Sequence, residues 1–360
     1  MTNPVAEPSD RARLQLRELD DANRAATIAF VNAREDRPSS PSFEAWRYRD
    51  CPTMEALTAM AGDECVATMF GLRRTWLTPS GPRACLEPFE WHASEDWRAQ
   101  APGLRIVKRR MGEPRPMIAV AGTDMAAGLL LRLKWTRIAT ATKFALPLAG
   151  AYLAQRGRGS LVTRAFDVIG RPWFAPRRAR GSALSVEPAE SYAPGVAALA
   201  ASQRRFALMR LPDADSLRWL RRAPAAVGHY VTFHARVGNS LVGWATGRVF
   251  THGDVRAAEI LEVFLSDEHR SRYPAFVREL CVTLAGFGAD VLLATTTCPD
   301  TTAALLAMRF RYDDERPVLA WWGGEAVPEG PVLVDGAISD HAFFPVPSRA
   351  AATWLEGAGA

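Results

Sequence analysis

The chain has five cysteines, Cys51, Cys65, Cys85, Cys281 and Cys298. The number is odd and no two are spaced C-x-x-C, which excludes a complete disulfide framework and a zinc ribbon. H-E-x-x-H, a phosphate-binding Walker loop and G-x-G-x-x-G behind a strand are also missing. The most apolar stretch, 145–154, falls far short of the ~20 residues that a membrane-spanning helix needs. Charge of one sign is scarce too: 44 basic against 39 acidic residues leave +5, which suits an anionic ligand and is too little for a dedicated nucleic-acid binder. The first sixteen residues carry acid and proline where a signal peptide needs a basic end and an apolar run. These absences predict a cytoplasmic protein with reduced, buried thiols, no metal and no membrane association.

What is present is repetition. At 360 residues the chain exceeds one small core, and a length prior favours about two domains. "SFEAWRYRDCP" at 42–52 has a counterpart in "DSLRWLRRAP" at 215–224, which sets Trp219 173 positions after Trp46. "CVATMFG" at 65–71 parallels "LVGWATG" at 241–247, and "GTDMAAGLLLRLKW" at 122–135 parallels "CPDTTAALLAMRF" at 298–310. Val66 and Val242 are 176 apart, as are Asp124 and Asp300. A near-constant offset over three separated segments predicts two copies of one domain. The expected division is 1–155, a Gly-, Pro- and Arg-rich linker at 156–182, and 183–360.

Pattern and spacing predict strands at 13–19, 65–78, 83–93 and 117–122 in the first copy, with a long strand following Trp135. Helices are expected at 21–33, near 43–50, at 103–111 with Leu104, Val107 and Met111 on one face, and at 125–133 with Asp124 as cap. The second copy predicts strands at 230–236, 241–250, 257–265 and 291–297, with helices at 270–287 and 300–308. Strands alternating with helices give an α/β fold, a mixed sheet with helices on both faces, made twice.

In this order, Gln100, Gly103 and Arg105 stand as Q-x-x-G-x-R where a helix opens, and "LLLRLKW" and "LLAMRF" end a strand–turn–helix unit in each copy. On these residues the chain resembles the GCN5-related N-acetyltransferase superfamily in tandem, over roughly 13–150 and 184–322. The resemblance implies two acyl-CoA N-acyltransferase folds and acetyl-CoA or another acyl-CoA as donor. Its pyrophosphate would lie on backbone N–H groups at a helix amino terminus, where the helix dipole favours negative charge. Gln100, Gly103, Leu104, Arg105 and Ile106 are the implied loop. In the second copy, Tyr273 stands at the glycine position and Pro274 removes a donor, so the first copy is the expected cofactor domain.

The same resemblance asks for a carboxylate base on the fourth strand. "EPFEWHA" offers Glu87, Glu90 and His92, and strand alternation puts Glu90 with His92 on one face and Glu87 on the other. Glu90 with His92 is therefore the first choice. On the acceptor side, Glu259 and Glu262 are expected on opposite faces. The tyrosine that usually protonates the leaving thiolate is replaced by Leu130 and Leu305, which leaves the acid unassigned. With no activated nucleophile in view, direct attack by an amine is expected, the amine lying between the copies. Acceptors in view are an amino sugar, an amino acid or a biosynthetic intermediate. The basic runs 108–110 and 177–180 leave an acyl carrier protein or an aminoacyl-tRNA as alternative donors, and the altered loops leave a catalytically silent scaffold. The chain is expected to be a monomer or a homodimer.

Overall fold

The computed structural model describes residues 13–35, 40–170, 174–177 and 183–338. The first repeat runs β1 (Gln15–Glu18), α1 (Arg24–Glu35), α2 (Pro41–Glu44), β2 (Met54–Ala61), β3 (Glu64–Thr78), β4 (Gly81–Ala93), α3 (Pro102–Met111), β5 (Met117–Val120), α4 (Asp124–Arg132) and β6 (Thr136–Pro147). A π-helical turn, Ala45–Arg49, extends α2. Two short helices follow, α5 (Gly150–Gln155) and α6 (Ser160–Ala165). The second repeat runs β7 (Leu184–Ala189), α7 (Val196–Ser202), β8 (Leu208–Arg210), α8 (Ala214–Leu220), β9 (His229–Val237), β10 (Ser240–His252), β11 (Val255–Leu265), α9 (Tyr273–Gly286), β12 (Val291–Thr296), α10 (Pro299–Ala307) and β13 (Arg311–Trp321), with β14 (Val332–Leu333) behind it.

The strands form one sheet in the order β1-β2-β3-β4-β5-β13-β6-β12-β11-β10-β9-β7, with β8 and β14 paired to each other and β8 to β3. Each repeat therefore places its last long strand in the other's half: β13 lies against β5, and β6 against β12. At the centre β6 and β13 pair antiparallel, and their register is symmetric. Thr136 faces Ala320 and Ala145 faces Arg311; adding 175 to Thr136 gives Arg311, and to Ala145 gives Ala320. Both register breaks obey the same rule, since Ile138 is skipped on one strand and Asp313 on the other. This is the self-complementary geometry of a twofold interface, built within one chain.

Local choices explain the elements. Thr123, not Asp124, caps α4, its hydroxyl accepting the Ala126 N–H at 3.1 Å. The buried face of α3 is Gly103, Ile106, Val107 and Arg110, a helical stripe one position away from the expected Leu104–Val107–Met111. Leu130 and Leu305 are both core residues. All five cysteines are free and buried, and burial pushes the Cys85 thiol up to about 12. The stretch expected as a linker, 156–182, is helical over α6 and the π-helical turn Phe166–Gly170, and 171–173 and 178–182 lie outside the described residues. No helix among the described residues is long and apolar enough to cross a membrane.

Candidate functional site between the repeats

In each half the parallel pair next to the centre separates into a fork. β4 and β5 are paired only at Leu86–Met117, and β11 and β12 only from Ala257–Val291 to Ile260–Ala294. Glu87 is the first residue beyond the pair in one fork, and Glu262 the second residue beyond it in the other. The two carboxylates converge on one arginine. Arg210, on β8, forms an ion pair with Glu262, reaches Glu87 at 4.0 Å and Asp335 at 3.8 Å. Tyr192 donates to Glu262 at 2.7 Å and Thr246 donates at 3.0 Å. On the other side Trp76 donates its indole N–H to Glu87 at 3.0 Å.

Two cavities adjoin this cluster. One is lined by Trp76, Met209, Trp244, Phe264, Leu333 and Asp335. The other is lined by Arg74, Tyr192, Asp213, Ser216, Leu217 and Thr246, and Arg210 and Glu262 line both. Burial alone would lower the Arg210 pKa, but the surrounding carboxylates of Glu262, Glu87 and Asp335 outweigh it and raise it. Asp335 responds in the opposite sense to an ordinary carboxyl. Burial, reinforced by the like charges of Glu262 and Glu87 and opposed by Arg210, pushes it up to about 8. The cluster thus sets the Glu87 and Glu262 carboxyl groups beside one, Asp335, that holds its proton more tightly than usual. That combination is what proton transfer in both directions requires.

The other expected site residues lie elsewhere. Glu90 is buried in an ion pair with Arg47 at 2.5 Å, beside the Tyr48 hydroxyl at 3.5 Å. It is also the extra residue of a β-bulge, at φ +46°. Glu90 and Trp91 together oppose Met69, so Glu87, Phe89 and His92 face the same way, opposite Leu72, Phe70 and Thr68. The expected separation of Glu87 from Glu90 and His92 is corrected: Glu90 contacts Arg47 and Tyr48 on that same face, packed against Phe70 and Phe89. His92 is half-buried opposite Thr68. A second bulge at Leu261 does the same to the other pair. Glu259 faces Arg248 and Glu262 faces Thr246, two positions apart, so these glutamates share a face as well. Glu259 is engaged by Arg248 at 3.2 Å, with Lys143 close enough to influence it. Burial brings Lys143 down to about 6, against the pull of Asp313 and Glu259. Arg210, Asp335 and Tyr192 were not singled out from sequence, because no motif contains them.

The loop at α3 is placed as follows. Helix geometry leaves the Gly103 and Leu104 N–H groups outside the ladder, which begins at Arg105 N–H to Ala101 O, 3.1 Å. The first turn has no acid and its Arg105 is exposed, so this terminus fits a phosphate group. Arg110, by contrast, is buried between Glu18 and Glu113. Gln100 is half-buried, and Ile106 is core. Gly103 has a reason of its own: a Cβ there would stand 3.0 Å from Trp91 Nε1 and 3.2 Å from Ala93 Cβ, so it lets α3 seat on β4. In the second repeat the Tyr273 ring does not block the loop. It turns into the core, and its hydroxyl accepts the Leu265 N–H at 3.2 Å. What occupies that fork is Arg205, bound to Asp267 at 2.6 Å and Asp300 at 3.1 Å and donating to Leu265 O. The run expected at 177–180 lies beyond Arg177 outside the described residues.

No family profile matches the sequence, and no curated protein is similar to it. Solved structures are. N-myristoyltransferase of Saccharomyces cerevisiae with bound myristoyl-CoA superposes with a TM-score of 0.58 at 12% identity, over 88% of this chain and 84% of that one. A GCN5-related N-acetyltransferase from Anabaena variabilis gives 0.59 at 8% identity, over 86% of this chain and 72% of that one.

Proposed function

The chain has the GCN5-related N-acetyltransferase fold, and on that fold we propose that it is an N-acyltransferase moving an acyl group from acyl-CoA to an amine. The observation that carries this reading is the convergence of Glu87, Glu262 and Asp335 on Arg210, at the mouths of both forks and inside an apolar cleft. An excess of carboxylate favours a cationic ammonium, and the tryptophan and phenylalanine walls exclude water around it. Bound myristoyl-CoA in a protein of the same fold supports an acyl-CoA donor here. The N–H groups at the start of α3, with Arg105, would take its phosphates. The carboxylates Asp267 and Asp300 around Arg205 argue against the second fork for that anion.

In this reading Glu262 accepts a proton from the ammonium. The freed amine attacks the thioester carbonyl; as the C–N bond forms and the C–S bond breaks, Asp335 gives its proton to the thiolate and takes up the second proton of the nitrogen, and the proton held by Glu262 passes to solvent. Tyr192 and Thr246 hold Glu262 in place. Asp335 would fill the role for which Leu130 and Leu305 are unsuited. The test is thiol release from acetyl-, octanoyl- and myristoyl-CoA across a panel of primary amines. Amine-dependent release that is abolished in Glu262→Gln supports the reading, and its absence for every pair contradicts it.

A further inference from the structure

Helix α6 and the π-helical turn behind it, Phe166–Gly170, are held to the molecule by one side only. The Phe166 ring stacks on Phe174 at 5.6 Å. Asp167 accepts the Gly150 N–H at 2.6 Å, and Gly150 lies so close that a Cβ would stand 2.5 Å from Thr163 O. These contacts fix the rotation of the helix. The opposite stripe, Leu161, Val162, Ala165, Val168 and Ile169, follows the i, i+1, i+4, i+7, i+8 spacing of one helical face. It points outward, with Leu161 81%, Val168 75% and Ile169 74% exposed. A soluble surface places charge on such a face; here the whole two-turn stripe is aliphatic.

The sequence on either side of this stripe is strongly basic. Between 156 and 180 the sequence has seven arginines and one acid, Asp167, and that acid is already committed to Gly150. Removing these residues from the chain's 44 basic and 39 acidic leaves 37 against 38. In sequence the whole positive excess therefore falls within 156–180; of its arginines, Arg156 is taken up by Asp313. Arg158 and Arg164 flank it directly and are exposed.

We infer that α6 and the turn behind it, over residues 158–169, are an interfacial anchor that seats on an anionic lipid surface. Aliphatic side chains on one face enter the acyl boundary while flanking arginines meet the headgroups. The arginine stems reach past the apolar face, which lets both contacts form together. A nucleic acid would use the arginines and leave the aliphatic stripe in water, so lipid accounts for both features. The membrane-free expectation drawn from the sequence considered only spanning segments, and a surface anchor is a different structure.

The experiment is flotation of the full chain with phosphatidylcholine vesicles and with vesicles containing one-third phosphatidylserine. Binding is expected to the second only, weakened severalfold or more at about 0.5 M salt. Arg158→Glu/Arg164→Glu and Leu161→Ser/Val168→Ser/Ile169→Ser are each expected to lower partitioning about tenfold or more. Both variants change exposed positions, and an unaltered melting temperature separates lost binding from lost folding. The proposal is overturned if wild type stays unbound with both vesicles, or if the serine variant floats like wild type. It is equally overturned if the stripe proves to hold two copies together, seen as a wild-type dimer that the serine variant dissociates while neither floats.

Discussion

The indole N–H of Trp46 donates to the carbonyl of Trp219 at 2.9 Å, and the indole N–H of Trp219 donates back to the carbonyl of Trp46 at 2.7 Å. The two rings stack with centroids 4.5 Å apart. Each tryptophan makes to the other the contact it receives, as residues on a twofold axis do. Together with the symmetric β6–β13 register, this pair joins the repeats at two separate places. Between those places lies the cleft with Glu87, Glu262 and Arg210.

Removing either ring should be costly, and removing the second less so. Trp46→Ala and Trp219→Ala are each expected to destabilise the protein by ~3–5 kcal/mol, and the double variant by clearly less than their sum. Urea unfolding of the four proteins in a double-mutant cycle gives the coupling, expected in the range of ~0.5–3 kcal/mol. Additive losses would mean that the stack is incidental.

Two glutamates, Glu90 on β4 and Glu262 on β11, should behave oppositely. Glu90→Gln leaves the buried Arg47 guanidinium without its carboxylate, so it should cost ~3–5 kcal/mol of stability. Glu262 lines the cleft. Glu262→Gln should lower kcat by ~10²–10⁴ through loss of the base, with the KM for acyl-CoA unchanged. Chemical denaturation and steady-state kinetics on both variants check the contrast.

Gly103 is expected to resist substitution for a packing reason. Gly103→Ala should destabilise by ~1–3 kcal/mol because the methyl meets Trp91 and Ala93. The same change in a Trp91→Leu background should cost less. Thermal melts of the four combinations decide whether the glycine serves α3 seating.

Two buried groups give pH dependences of opposite sign. Asp335 has its folded pKa raised to about 8, far above an unfolded carboxyl near ~3.9. The folded state therefore binds more protons between these values, and its contribution to stability falls as pH rises from ~4 to 8. Lys143 is lowered to about 6 from an unfolded ~10.4, so the unfolded state binds more protons and the contribution rises with pH from about 6 upward. Asp335→Asn should remove the falling component, and Lys143→Met the rising one. Urea midpoints across this pH range, compared with wild type, read both.

The α/β class, the repeat, most elements of the first half and the run from β9 to α10 in the second are legible in the sequence because they follow apolar periodicity; β2, β7, α7, β8 and α8 are not. β13 is not: "RYDDERPV" is polar enough to pass for a loop. It forms a central strand because its charges are taken up locally, Asp313 by Arg156 and Asp314 by Arg316. The site is less legible, for a geometric reason that recurs. Strict alternation separates residues three apart, and a bulge in β4 and another in β11 cancel that separation in both pairs of glutamates. A bulge leaves little trace in composition, and Glu90 is not the residue type that normally marks a positive φ. Arg210 and Asp335 come from separate short segments that meet only in the folded chain.

The most direct measurement is titration of the full chain with acetyl-CoA and myristoyl-CoA, for wild type and Arg105→Glu, followed by thermal unfolding. Arg105 is exposed at the first turn of α3, so the change should leave the fold intact and set a negative charge against the phosphates. The account predicts that a donor at about 100 times its Kd adds ~2.7 kcal/mol to wild type. Most of that gain should be missing in Arg105→Glu. Equal stabilisation of both proteins would place the donor elsewhere, and no stabilisation of wild type by either thioester would contradict an acyl-CoA-dependent transferase.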